Sequence, residues 1–98
     1  MTNNHSSTFS AIHILIYLRQ SLLDAVDQND VDTLHNLARV FDMLWDFVDK
    51  EKIHGGVGRI LENLGNAARE YARGIGWKSI IPSEEEIRSA LQNEQADR

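Results

Sequence analysis

A helical apolar repeat runs from near Phe9 to Val48 and is interrupted once, at residues 27–30. Apolar side chains recur every three or four residues on both sides of the interruption, which is the spacing of one face of an α-helix. Two amphipathic helices of similar length, joined by a short polar turn, are typical of an antiparallel helical hairpin. The sequence therefore predicts an all-α fold.

The first two predicted helices both carry wide apolar surfaces. The first begins at an N-cap near Ser7 or Thr8 and ends near Val26, and its consecutive apolar residues 14–18 make it apolar nearly all the way round. The second begins at an N-cap at Asn29 or Asp30. Each helix must therefore be covered on more than one side.

Glycines and capping residues mark two further helices. The third is predicted to start after Gly56 and to end at Gly74, with Gly65 inside it. A glycine inside a helix costs about 1 kcal/mol relative to alanine, so Gly65 indicates close approach of a neighbouring helix. The short fourth helix opens with a capping box over residues 83–86.

These elements predict one small helical bundle, made of the hairpin, a third helix and a short C-terminal helix. The domain is expected to span residues 9–92. The polar residues 1–8 are expected to be disordered and residues 93–98 to be frayed.

Composition excludes several classes of protein. The net charge of −5 disfavours nonspecific binding to nucleic acid or anionic membranes, and a chain without cysteine has no disulfide or thiolate site. No apolar run approaches the ~20 residues that a membrane span needs, and no secretory signal is visible. We therefore expect a cytoplasmic protein that does not enter membranes.

The sequence offers no constellation for catalysis. The four histidines are never spaced three or four apart, as two metal ligands on one helical face would be. The glycine-rich residues 54–59 lack the lysine and the preceding strand of a nucleotide-binding loop. We expect no enzyme activity, no catalytic residue, no metal, no cofactor and no small-molecule substrate.

The hairpin carries more apolar surface than one pairing seam and one covering helix can hide. A contiguous exposed patch of this size is unusual on a monomer. We therefore expect self-association, most simply as a two-fold homodimer. The surplus residues are Ile14, Ile16, Tyr17, Met43, Trp45 and Phe47.

Charge divides the chain into an acidic hairpin and a more basic third helix. Asp42, Asp46 and Asp49 share one helical face, where they repel one another unless a basic surface lies nearby. That surface could belong to a partner protein, or the stripe could be only a solvated face. The third helix carries a set of arginines, which lies either against the acidic hairpin or against nucleic acid. They are Arg59, Arg69 and Arg73.

Two functions follow from these features. The first is a small protein–protein interaction module, such as a regulator, adaptor or inhibitor, that acts through a helical surface as a homodimer. The alternative is a nucleic-acid-binding transcriptional regulator that uses the basic third helix.

Overall fold

The computed structural model describes residues 4–50, 56–75 and 80–96, and within these ranges every regular element is an α-helix. The side chains are described over 11–48, 56–75 and 80–91. Helix α1 spans Asn4–Gln28, α2 spans Val31–Lys50, α3 spans Gly56–Ala72 and α4 spans Glu84–Ala96. The predicted all-α bundle is confirmed.

The four helices surround one core. Each helix contacts the next in the order α1, α2, α3 and α4, and α4 contacts α1 to complete the ring. The side chains that point inward recur at helical spacing on all four helices. The largest fully buried side chains are Leu22, Leu34, Phe41, Leu64 and Ile87 on the helices and Pro82 in the segment before α4.

The most extensive helix pair is α2 with α3, and not the hairpin of α1 with α2 on which the sequence prediction was built. Gly65 is buried, and a Cβ placed on it would lie 3.5 Å from the Cβ of Phe41. Gly65 faces Phe41 whereas Gly58 faces Trp45, so the two helices run antiparallel. The small residues of α3 allow its backbone to approach α2 closely, whereas the larger residues of α1 hold that helix further away.

A two-residue turn joins α1 to α2. Asn29 adopts φ 54°, and the N–H groups of Asn29 and Asp30 donate to the carbonyls of Val26 and Ala25 at 3.1 and 2.9 Å. These bonds form a Schellman motif that ends α1. Asp30 is at once the N-cap of α2, because its Oδ1 accepts from the N–H of Thr33 at 3.2 Å. Of the two predicted N-cap candidates, Asp30 is the one used.

The remaining helix ends follow the predicted capping residues. Gly74 adopts φ 81° after α3, and the N–H of Ile75 donates to the carbonyl of Glu70 at 2.9 Å, which is a second Schellman motif. At α4, the N–H of Glu86 donates to Ser83 Oγ at 3.1 Å and the N–H of Ser83 donates to Glu86 Oε1 at 2.9 Å. The capping box is confirmed.

The outer helix boundaries differ from the predicted ones. Helix α1 begins at Asn4 rather than near Ser7 or Thr8, and it continues to Gln28 rather than to Val26. The backbone of α4 remains helical to Ala96. Residues 1–3 and 97–98 lie outside the described ranges, and disorder at the two ends stays a prediction.

Replacing Gly65 by alanine or by leucine distinguishes the low helix propensity of glycine from a steric limit on the size of the side chain at this position. A Cβ at this position meets its nearest neighbours at an ordinary 3.5 Å, so Gly65→Ala is expected to leave the free energy of unfolding unchanged or to raise it by up to about 1 kcal/mol. Gly65→Leu must push Phe41 aside and is expected to lower the free energy of unfolding by about 1–3 kcal/mol. Urea denaturation of both variants measures the difference, and a neutral leucine variant would contradict the described packing.

Gly56 and Gly58 form a matched pair at the start of α3. A Cβ on Gly56 would lie 2.6 Å from the Cβ of Ala90, whereas a Cβ on Gly58 has only Trp45 Nε1 at 3.9 Å. We expect Gly56→Ala to lower the free energy of unfolding by about 1–3 kcal/mol because α3 and α4 must move apart. Gly58→Ala is the control and should be neutral or mildly stabilising in thermal denaturation.

The N-cap of α2 predicts an acid-sensitive contribution to stability. The hydrogen bond from the Thr33 hydroxyl, followed by the one from its N–H, holds the pKa of Asp30 below 3.8. A carboxyl whose pKa is lowered by folding stabilises the fold above its unfolded pKa and loses this effect as the pH falls through the folded value. We expect the Tm of the wild type to exceed that of Asp30→Asn at neutral pH, and the gap to narrow below pH 3.8. A gap that is constant from neutral pH to pH 2 would contradict this role of Asp30.

Candidate functional site

Four large apolar side chains stand out from the surface of α1 and α2. Their exposed fractions are 54% for Ile14, 70% for Tyr17, 69% for Met43 and 57% for Phe47. All four belong to the set that the sequence identified as surplus apolar surface. Isolated exposed apolar residues are common, so their arrangement decides whether they form a site.

The other two members of the predicted set lie elsewhere. Ile16 is half-buried and packs against the core, so it is not part of the apolar surplus. Trp45 is 40% exposed, and its Nε1 lies near Gly58 on the side of α2 that faces α3. Wide apolar helices present several faces, and the packing of α3 and α4 assigns Trp45 and Ile16 to other faces of the bundle.

On α1, the exposed pair points away from α4. Arg19 marks the flank near α4, because its Nε donates to the carbonyl of Pro82 at 2.6 Å. At 100° per residue, Ile14 and Tyr17 project about 140° and 160° away from Arg19. They therefore occupy the outer surface towards α2.

On α2, the exposed pair points away from α3. Asp42 marks the flank near α3, because it binds Arg69 of that helix. Met43 and Phe47 project about 100° and 140° away from Asp42 around the helix axis. They therefore occupy the outer surface towards α1.

The two pairs also lie at the same height in the bundle. Tyr17 precedes Asn29 by 12 residues and Met43 follows Asp30 by 13, so the two-residue turn places them side by side. Together with the ring order of the helices, this places the four side chains on one outer face. We call it the α1/α2 apolar face, formed by Ile14, Tyr17, Met43 and Phe47.

The acidic stripe of α2 is already partly neutralised within the chain. Asp42 accepts two hydrogen bonds from Arg69 Nη1, at 2.8 and 3.0 Å, and Arg69 Nη2 donates to Asn66 at 2.7 Å. Asp46 is exposed, and the side chain of Asp49 lies outside the described residues. A basic partner for this stripe stays a prediction, and Asp42 is not the uncompensated charge that the sequence indicated.

The arginines predicted for the third helix, of which Arg73 directly follows the end of α3, do not form one basic surface. Arg69 is held by Asp42, whereas Arg59 and Arg73 are exposed and lie about 21 Å apart along the helix axis. The exposed Glu62 and the half-buried Glu70 lie between them in the sequence. Carboxylates therefore lie among the arginines and reduce the positive charge on which nucleic-acid binding depends.

Two arginines outside the predicted site residues also lie in this region. Arg19 ties the middle of α1 to the segment before α4, and Arg39 is exposed one turn before Met43. Helical spacing from Met43 could have identified Arg39 as a neighbour of the apolar face. Nothing in the sequence indicated that Arg19 would reach a carbonyl 63 residues away.

Other kinds of site find no support in the described part of the chain. Residues 4–50, 56–75 and 80–96 contain no group of three histidine or acidic side chains placed to hold a metal ion. None of the helices in these ranges is long and apolar enough to cross a membrane. No protein-family model, curated protein or solved structure matches the chain.

Proposed function

We propose that the chain is a small protein–protein interaction module that binds through the α1/α2 apolar face. The observation that carries the proposal is that four large apolar side chains are each more than half exposed, and helical spacing together with the order of the helices places them on one outer surface. A contiguous apolar patch on a small protein is typical of a surface that a partner covers. The absence of cysteine from the sequence supports a cytoplasmic setting for this module.

The size of the patch is consistent with binding. Burying one large apolar side chain contributes about 1.5–3 kcal/mol, whereas association costs at least about 4 kcal/mol in lost freedom of movement. A single exposed residue cannot offset this cost, whereas four adjacent ones together can exceed its lower bound. Tyr17 and Phe47 also provide aromatic rings, and aromatic residues are enriched in the buried centres of protein interfaces.

Nucleic-acid binding by α3 remains the weaker alternative. Of its three arginines, Arg69 is already in an ion pair with Asp42, and the exposed fractions of these two side chains are 42% and 62%. The remaining two are separated by carboxylates. This alternative would gain support only if the protein shifted the mobility of duplex DNA at low salt.

Site-specific photo-crosslinking in the native host tests the proposed function. A photoreactive phenylalanine analogue at Phe47 lies on the apolar face, and we expect it to give discrete crosslinked protein bands after illumination. The same analogue at the exposed Glu62 of α3 is the matched control and should give none. Equal yields at the two positions, or none at Phe47, would contradict the proposal.

A further inference from the structure

We infer that the partner on the α1/α2 apolar face is a second copy of this chain, with α2 of one copy antiparallel to α2 of the other. This inference rests on the proposed function and assigns the occupant of the same face. The two-fold axis lies in the contact plane, crosses α2 beside Met43 and runs perpendicular to the helices. Two-fold contact of one patch with itself is the commonest form of protein self-association.

The charges beside the apolar face are related by this axis. Arg39 and Asp46 are both exposed and are seven residues, or about two helical turns, apart on the same side of α2. A two-fold axis between residues 42 and 43 exchanges the two positions. Arg39 of each copy then lies opposite Asp46 of the other, which gives two attractive contacts.

The charge pattern also selects the direction of pairing. In a parallel arrangement of two α2 helices, Arg39 would face Arg39 and Asp46 would face Asp46. Both contacts would be repulsive, and like charges across an interface disfavour that arrangement. In the described part of the chain, no carboxylate forms an ion pair with Arg39, so a second copy supplies a counter-charge that the single chain does not.

The apolar side chains collect around the same axis. An axis between residues 42 and 43 crosses α1 at the height of Tyr17, because the two positions are equally far from the turn between the helices. Ile14 lies about one turn from the axis on α1, and Phe47 lies slightly more than one turn away on α2. The contact thus has an apolar centre with charged residues beside it, which is the usual anatomy of a protein interface.

Other occupants account less well for these features. A helix from an unrelated protein needs only the apolar side chains, and it places no requirement on the relation between Arg39 and Asp46. A uniformly basic partner would be attracted by Asp46 but repelled by Arg39. The second copy uses the apolar residues and both charges at once.

Charge reversal tests the pairing directly. At tens of micromolar protein, we expect sedimentation equilibrium to show the wild type at twice the 11.1 kDa mass of the chain. Arg39→Glu and Asp46→Lys each create two like-charge contacts, so each variant alone should dimerise at least tenfold more weakly. An equimolar mixture of the two variants should dimerise as well as the wild type, and so should the double variant R39E/D46K.

Controls distinguish this inference from the proposed function. Glu62→Lys changes the charge away from the face and should not alter dimerisation, whereas Phe47→Lys should abolish it while circular dichroism shows an intact fold. A monomeric wild type, or single reversals that the mixture does not rescue, would overturn the inference. If Phe47 still crosslinks to a different protein in the host, the interaction function stands and only the identity of the partner is wrong.

Discussion

The contact of Gly65 with Phe41 is the constraint on which the rest of the bundle depends. Phe41 is fully buried, and α3 approaches it so closely that even a Cβ added at position 65 would lie 3.5 Å from the Cβ of Phe41, which leaves no room for a large side chain there. Because α3 occupies this side of α2, α1 can cover only the other side. None of the helices described over residues 4–50, 56–75 and 80–96 then covers the outer surface between α1 and α2, since α4 packs between α3 and α1.

The turn at Asn29 and Asp30 determines how that outer surface is composed. Two residues suffice because Asn29 accepts the left-handed conformation that ends α1, while the Asp30 carboxylate caps α2. So short a connection leaves little freedom for α1 to slide along α2. It therefore sets the relative height of Tyr17 and Met43 and brings four apolar side chains from two helices together.

Charges on α2 are divided between its contact with α3 and the outer surface of the bundle. Asp42 forms an ion pair with Arg69 and so joins α2 to α3. An exposed ion pair of this kind contributes about 0.2–1 kcal/mol, which makes it more important for orientation than for stability. On α2, the exposed Arg39 and Asp46 lie beside the apolar face and carry opposite charges, which is the pattern that the proposed two-fold contact uses.

The sequence by itself determined the helices, their caps and the existence of excess apolar surface. Asp30, Gly74 and the Ser83 capping box act locally, through hydrogen bonds that span at most five residues, so they could be identified without a fold. Only the tertiary structure decided that α2 pairs most extensively with α3, and which apolar residues remain exposed. Ile16 and Trp45 lie on equally apolar helices, yet their surroundings depend on where α3 and α4 pack. The same holds for Asp42 and Arg69, because pairing of charges 27 residues apart requires the two helices to be brought together first.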